Sequence, residues 1–431
     1  MSQPLTVAVA GLGTVGAGTL RLLRDHADLL AQRCGRSVAV TAVAARDRSR
    51  DRGVALDGLD WFDDAAEMAA RADAEVVVEL IGGSDGIAKA VCEAAFAAGR
   101  HVVTANKALL AHHGTALAAA AEAAGVALGY EAAVAGGIPI IKTLREGLAG
   151  NRISRVHGIL NGTCNYILSE MRDSGRDFAE VLADAQAKGY AEADPSFDID
   201  GVDAAHKLAI LASVAFGCRV NFDGVHVEGI RHVSPLDIRF AQQLGYRIKL
   251  LGMARLTDAG VEQRVHPCMV PETAPIAHIE GVLNAVVAEG DFVGAATLIG
   301  PGAGAGPTAS AVAADIADIA RGARLPVFSV PAATLADLSA APMARHRGAY
   351  YIRLMVVDRP GVIADISAAL RDAAVSIEVV LQRARAPGEA VPVVLTTHDG
   401  TDEAAMVQVL DRIEKMETVL EPPRMIRVEN L

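Results

Sequence analysis

Asp203 and Lys207 stand four residues apart. On a helix that spacing places a carboxylate and an ammonium on one face. At a surface such a pair is worth only ~0.3–0.5 kcal/mol. Here the neighbours are Ala204, Ala205, Leu208, Ile210 and Leu211. They predict a mostly buried helix, where a lysine needs a partner or a task. Burial lowers an ammonium's pKa from its reference of about 10.4, and a nearby carboxylate opposes that shift. The pair can therefore be tuned towards proton exchange. A second lysine, Lys107, falls where a strand runs into a helix. A helix start disfavours a cation, and strand carboxyl ends face the ligand crevice of open α/β sheets. A binding role explains Lys107 better than a solvated side chain does.

Gly11-Leu12-Gly13-Thr14-Val15-Gly16 follows an apolar strand and opens a helix. The first glycine allows a tight turn, the second lets a pyrophosphate approach the backbone, and the third lets helix and strand pack closely. The helix N-terminus adds N–H donors and positive potential. This context predicts dinucleotide binding. The next strand ends Val43-Ala-Ala-Arg46-Asp47-Arg48, with no carboxylate before Arg46. Arg46 suits a 2′-phosphate and leans the reading towards NADP, while Asp47 keeps NAD open. Alternatively, Arg46, Arg48 and Arg50 form a solvated basic loop.

Apolar strands are expected at residues 6–10, 38–45, 75–80, 101–104 and 126–130. Between them lie helical patterns that include 17–30, 88–98 and 108–124. This alternation predicts a parallel sheet covered on both faces, a Rossmann-type domain over 1–135. The rhythm changes after residue 131. A helix at 138–148, a strand at 153–160 and helices at 163–172, 178–188 and 202–216 surround an acidic segment, 189–201. They suggest an α+β catalytic and dimerisation domain over 136–304. The loop 300–307, Gly-Pro-Gly-Ala-Gly-Ala-Gly-Pro, opens a helix at 308–321. Residues 305–325 are expected to return to the first domain. Residues 326–347 read as a linker, and 348–431 follow the order β-α-β-β-α-β, a ferredoxin-like plait.

The chain has 431 residues, 52% of them hydrophobic and 21% charged, with a net charge of −12. Those values exclude a disordered chain, and the acidic balance argues against nucleic-acid or anionic-membrane binding. Five cysteines lie far apart with no C-x-x-C, which fits a reducing cytosol. No signal peptide, membrane span or H-E-x-x-H is recognised, so a cytoplasmic protein is expected.

Six segments, taken together and in order, resemble the homoserine dehydrogenase family. They are Thr104-Ala-Asn-Lys107-Ala-Leu-Leu, Glu131-Ala-Ala-Val-Ala-Gly-Gly-Ile-Pro-Ile-Ile, Gly158-Ile-Leu-Asn-Gly-Thr-Cys-Asn-Tyr-Ile-Leu, Gly189-Tyr-Ala-Glu-Ala-Asp-Pro, Gly201-Val-Asp-Ala-Ala-His-Lys and Gly302-Ala-Gly-Ala-Gly-Pro-Thr-Ala-Ser-Ala-Val. The plait, opening Val357-Asp-Arg-Pro-Gly-Val, is similar to an ACT domain, an amino-acid-sensing module. Because the first domain starts near residue 1, no fused aspartate kinase is expected.

The resemblance implies reversible reduction of aspartate β-semialdehyde to homoserine by a nicotinamide cofactor, within threonine, methionine and isoleucine biosynthesis. It implies that Lys207 is the general acid/base and that Asp203 orients it and contacts substrate. Lys107 would bridge substrate carboxylate and cofactor, and Glu192 would take the substrate ammonium. Gly11, Gly13, Thr14, Val15, Gly16, Arg46, Thr104, Lys107 and Gly189 would meet the cofactor. Gly302 and Gly304 either approach it or simply permit a turn. Glu131, Val134, Gly136 and Ile138 match a monovalent-cation site suited to Na⁺. The ACT unit implies an amino-acid effector, threonine first among them, and the family resemblance a homodimer or homotetramer. Two departures stand out: Cys164 replaces a usual threonine, and Phe197 sits where some members place an acid. Cys164 could form a thiohemiacetal if activated by a base, but with no histidine placed nearby it reads as buried filler. Two other functions are weighed against the leading one: a non-catalytic amino-acid sensor, and a dehydrogenase of another small amino acid.

Overall fold

The computed structural model describes residues 3–382 and 386–431. The first sheet has six parallel strands, ordered Asp60–Phe62, Val38–Ala44, Leu5–Ala10, Val76–Glu79, His101–Thr104 and Leu128–Gly129. Alternate residues of the central strand face opposite layers. Val7 and Val9 pack with Leu20, Val312 and Ile316, whereas Ala8 and Ala10 pack with Met68 and Val91. Both layers are therefore apolar, which is why these strands read as continuous hydrophobic runs. The helix Ala305–Ala320 lies on this sheet beside Thr14–Asp25. The chain thus leaves this six-stranded sheet after Gly129 and packs back against its layer with Ala305–Ala320. The two crossings lie side by side, with Gly137 N–H donating to Pro301 O at 2.9 Å.

The second sheet runs through the rest of the molecule. Its main path is Gly294–Pro301, Leu283–Gly290, Ile153–Ile159, Tyr246–Thr257, Gly260–Pro271, Arg424–Val428, Arg347–Val357, Ala390–Thr397 and Ile377–Leu381. The last four strands, with helices Val362–Asp372 and Glu403–Glu414, form the expected plait. The plait does not hang from a tether. Its strand Arg424–Val428 pairs in parallel with Gly260–Pro271, Cys268 opposite Arg427 and Met269 opposite Val428. Buried ion pairs fasten the joint. Arg427 bonds both Glu403 and Glu228, the latter at 2.9 Å, and Arg353 Nε lies 2.7 Å from Asp237 Oδ1.

Three expectations change. Residues 326–347 are a strap rather than a free linker: Phe328 is buried, Val327 O accepts the Tyr130 hydroxyl, and Ala336 and Ala340 bridge to Cys218 and Val261. The helix expected at 138–148 is one α-turn, Ile140–Lys142, followed by a π-turn, Thr143–Gly147. Pro139 precedes it, and the Glu131 carboxylate takes the N–H groups of Ile141 and Lys142. The strand at 126–130 shortens to Leu128–Gly129, where the buried side chain of Asp315 crowds the backbone. No helix among the described residues is long and apolar enough to cross a membrane.

Candidate active site

The helix Val202–Phe216 is two-thirds Ala, Leu, Ile and Val, starts after Gly201 at φ +86° and ends at Gly217 at φ +60°. Both glycines take the left-handed conformation that other residues avoid. Nearly every side chain of the helix is buried, including Asp203 and Lys207. The Lys207 Nζ donates to Asp203 Oδ2 and to Leu160 O, each at 2.7 Å. An ammonium has three N–H groups, so one remains for the cavity that Lys207 lines.

Asp203 serves more than one cation. Its Oδ1 lies 3.2 Å from the Lys107 Nζ. Lys107 is the first residue of the helix Lys107–Ala123, capped by Asn106, whose Oδ1 accepts the Leu109 N–H. Asn161 caps the helix Gly162–Ser174 in the same way, and its Nδ2 bridges Asp203 Oδ2 and Asp198 Oδ1, both at 2.8 Å. Burial alone would raise the Asp203 carboxyl. Lys207, Lys107 and Asn161 together outweigh burial and hold it at about 2. Asp198, half-buried beside that anion and with no lysine bonded to it among the described residues, is pushed upward instead.

These groups line a cavity of about 610 Å³ together with Val15, Gly302 and Gly304. A neighbouring cleft of about 1020 Å³ runs past Gly11, Gly13 and Arg46. A Cβ at Gly11, where φ is +96°, would lie 2.6 Å from Leu80 O, and one at Gly16 would lie 2.0 Å from Gly11 O. At Gly13 a Cβ would meet nothing within 4 Å. So Gly11 and Gly16 close the turn, while Gly13 leaves open space before a helix that has no side-chain cap. Thr14 and Val15 begin that helix. The cradle fits a dinucleotide pyrophosphate. Arg46 is exposed in the cleft and has no hydrogen bond or ion pair among the described residues. The Asp47 carboxylate is turned onto Ser49, bonding its N–H at 2.9 Å and its hydroxyl at 2.7 Å.

The remaining site expectations divide. Gly189, at φ +74°, lines the cavity. Thr104 does not: it is buried, its hydroxyl donates to Glu79 Oε2 at 2.6 Å, and its oxygen accepts the Asn106 N–H. It props the Lys107 helix and meets no open space. Glu192 is exposed on its loop and lies outside the cavity lining, because the segment's inward acid is Asp198. Cys164 is buried 3.2 Å from Asp198 O, and burial pushes its thiol well up, so it is filler. Phe197 lies under Lys107, with the Nζ 5.5 Å from the ring centre.

Glu131 is buried with Val134, Gly136 and Ile138. Burial and the neighbouring Asp315 push its carboxyl up to about 7. Among the described residues one trio of metal-ligand types converges, His266, Cys268 and Glu429. Arg264 already sits there, 2.8 Å from His266 Nε2 and paired with Glu429, so a guanidinium takes the place of a cation. Sequence reading missed Asn161 and Asn284 as parts of the cavity wall. Asn161 carried a signal, an asparagine directly before an apolar helical run.

Three family models match the chain: Homoserine dehydrogenase, NAD binding domain, over 11–131; Homoserine dehydrogenase over 139–317; and ACT domain over 350–417. A homoserine dehydrogenase of Neisseria gonorrhoeae is 45% identical, covering 100% of this chain and 99% of that one. One of Pseudomonas aeruginosa is 45% identical and covers 100% of both. The crystal structure of a homoserine dehydrogenase from Thiobacillus denitrificans superposes with a TM-score of 0.94 at 46% identity, covering 99% of each chain. A hyperthermophilic archaeal homoserine dehydrogenase, solved in complex with NADPH, covers 75% of this chain and 99% of its own, with a TM-score of 0.65 at 25% identity. With the fold, the cavity and these matches in agreement, the chain belongs to the homoserine dehydrogenase family of nicotinamide-dependent oxidoreductases and carries that family's catalytic domain followed by an ACT domain.

Proposed function

We propose that Lys207 exchanges the proton in the interconversion of aspartate β-semialdehyde and homoserine, and that Asp203 keeps it in place. The observation that carries this reading is a buried ammonium with two fixed partners and one N–H left for the cavity. The bound nicotinamide supplies or accepts the hydride. Lys207 donates to the carbonyl oxygen as negative charge grows there, and takes the proton back in the reverse direction. Asp203 lowers the cost of keeping two ammonium groups close. Lys107 holds the substrate carboxylate against the cofactor side of the cavity. Glu192 reaches the substrate ammonium by inward movement of its exposed loop. In a Lys207→Ala protein, NADPH oxidation by aspartate β-semialdehyde falls by about 10²–10⁴-fold while cofactor binding holds; activity within twofold of the parent refutes the assignment.

Arg46, free to meet a 2′-phosphate, supports NADP over NAD. Glu131 supports a monovalent cation: among the described residues its buried carboxylate has no direct ion pair, Lys142 being bonded to Asp315 and Asp318, and Na⁺ on the carbonyls of Val134, Gly136 and Ile138 would provide one. The ACT plait supports feedback by an amino acid, with threonine the first to test. Residues 1–135 with 305–325, 136–304 and 348–431 serve as nucleotide, catalytic and regulatory units, in a cytoplasmic homodimer or homotetramer.

A further inference from the structure

Asn284 stands on the strand Leu283–Gly290, opposite Gly300, and its side chain lines the catalytic cavity. It is 1% exposed. Neither its Nδ2 nor its Oδ1 has a hydrogen-bond partner among the described residues. Buried amides are ordinarily satisfied, and nearby asparagines follow that rule. Asn161 bonds Asp203, Asp198 and the Cys164 N–H. Asn165 donates to Ile279 O and Gly281 O and accepts from Lys249. Asn284 alone of the three is left open.

Its setting is fitted to it. A Cβ at Gly302 would lie 2.1 Å from the Asn284 Nδ2 and 2.5 Å from its Oδ1. A Cβ at Gly162 would be 3.5 Å from the Oδ1. The absence of a side chain at Gly302 is what leaves the amide its place in the cavity lining.

An unpartnered amide needs a ligand that offers a donor and an acceptor side by side. A carboxylate would satisfy Nδ2 and face Oδ1 with like charge. An ammonium would satisfy Oδ1 alone. A primary carboxamide matches both. We propose that Asn284 pairs with the carboxamide of the bound nicotinamide and so fixes which face of the ring is turned towards substrate. This rests on the nicotinamide reading of the cavity.

Equilibrium binding tests it, using NADP⁺, its 3-acetylpyridine analogue and 2′-phospho-ADP-ribose. The analogue keeps the carbonyl and replaces the NH₂ with methyl; 2′-phospho-ADP-ribose has no pyridine ring. The parent protein should bind the analogue roughly two- to tenfold more weakly than NADP⁺. Asn284→Leu and Asn284→Ala should bind both dinucleotides equally, and 2′-phospho-ADP-ribose as the parent does, which also shows that they fold. Equal binding of the two dinucleotides by the parent overturns the proposal without any variant, as does discrimination retained in either variant. Should the parent bind neither 2′-phospho-ADP-ribose nor ADP-ribose, the cofactor reading itself falls.

Discussion

The Lys107 ammonium lies 3.2 Å from Oδ1 of Asp203, joining the first helix turn after a nucleotide-sheet strand to the buried helix of the other domain. With Lys207 on Oδ2, one buried carboxylate holds both ammonium groups of the cavity. Asp203→Asn removes that shared counter-charge and leaves two lysines close together without it. The variant should therefore lose about 10²-fold or more in kcat. A parental kcat would show that Asp203 only packs.

Phe197 places a ring 5.5 Å from the Lys107 Nζ. A cation over an exposed ring gains ~0.5–1 kcal/mol. Phe197→Leu should then raise the KM for homoserine about two- to fivefold and leave kcat within twofold. Phe197→Tyr should restore the parent value. Phe197→Asp sets a second anion against the substrate carboxylate at Lys107 and should raise KM further than the leucine does.

Arg46 has no partner among the described residues, while the Asp47 carboxylate is held by Ser49. Removing the guanidinium in Arg46→Ala should lower kcat/KM for NADPH by about tenfold or more, the worth of a charge-assisted contact, and change that for NADH by less than twofold. Equal losses for both cofactors would place Arg46 outside the 2′-phosphate site.

Among the imidazoles whose pKa burial lowers, His157 and His206 should weaken the fold in acid. His157 is pushed down to about 4 by burial and Arg155, and His206 to about 4 by burial, His112 and Lys107. Each folded pKa lies below the reference of about 6.5, so the unfolded chain binds its proton first. The neutral forms stabilise the fold fully above pH 6.5, and that contribution is lost as pH falls towards 4. Each costs ~1.4 kcal/mol per pH unit through that window. Denaturant midpoints measured from pH 7 to 4.5 should fall, and His206→Phe should flatten the slope. A slope that is unchanged in the variant rules His206 out as a contributor.

Much of this architecture is legible in the residues. Gly11, Gly13 and Gly16 after a buried strand identify the cradle, because tight turns and close approach tolerate no side chain there. Asp203 and Lys207 share a face by spacing alone. The joint between Gly260–Pro271 and Arg424–Val428 is not legible: only two residue pairs define it, and parallel pairing between distant segments leaves no local pattern. Thr104 reads as a cleft residue by its place at a strand end, yet its hydroxyl is drawn inward by Glu79. Asn284 sits in an apolar strand, where one amide carries no periodic signal; its meaning comes from Gly302, eighteen residues on in the chain.

Glu131 connects the cation proposal to pH. Its carboxyl, raised to about 7 by burial and Asp315, is partly protonated near neutrality in the metal-free protein. A cation bound beside it requires the ionised form, so proton and cation compete. Apparent Na⁺ affinity should fall about tenfold per pH unit below 7 and level off above it. Glu131→Gln keeps the size of the side chain and an acceptor for one of the N–H groups of Ile141 and Lys142, and should abolish both the pH dependence and the activation by Na⁺. If activity shows no response to Na⁺ or K⁺ at any pH from 6 to 9, the site holds no functional cation and Glu131 is there to cap the Ile140–Lys142 turn.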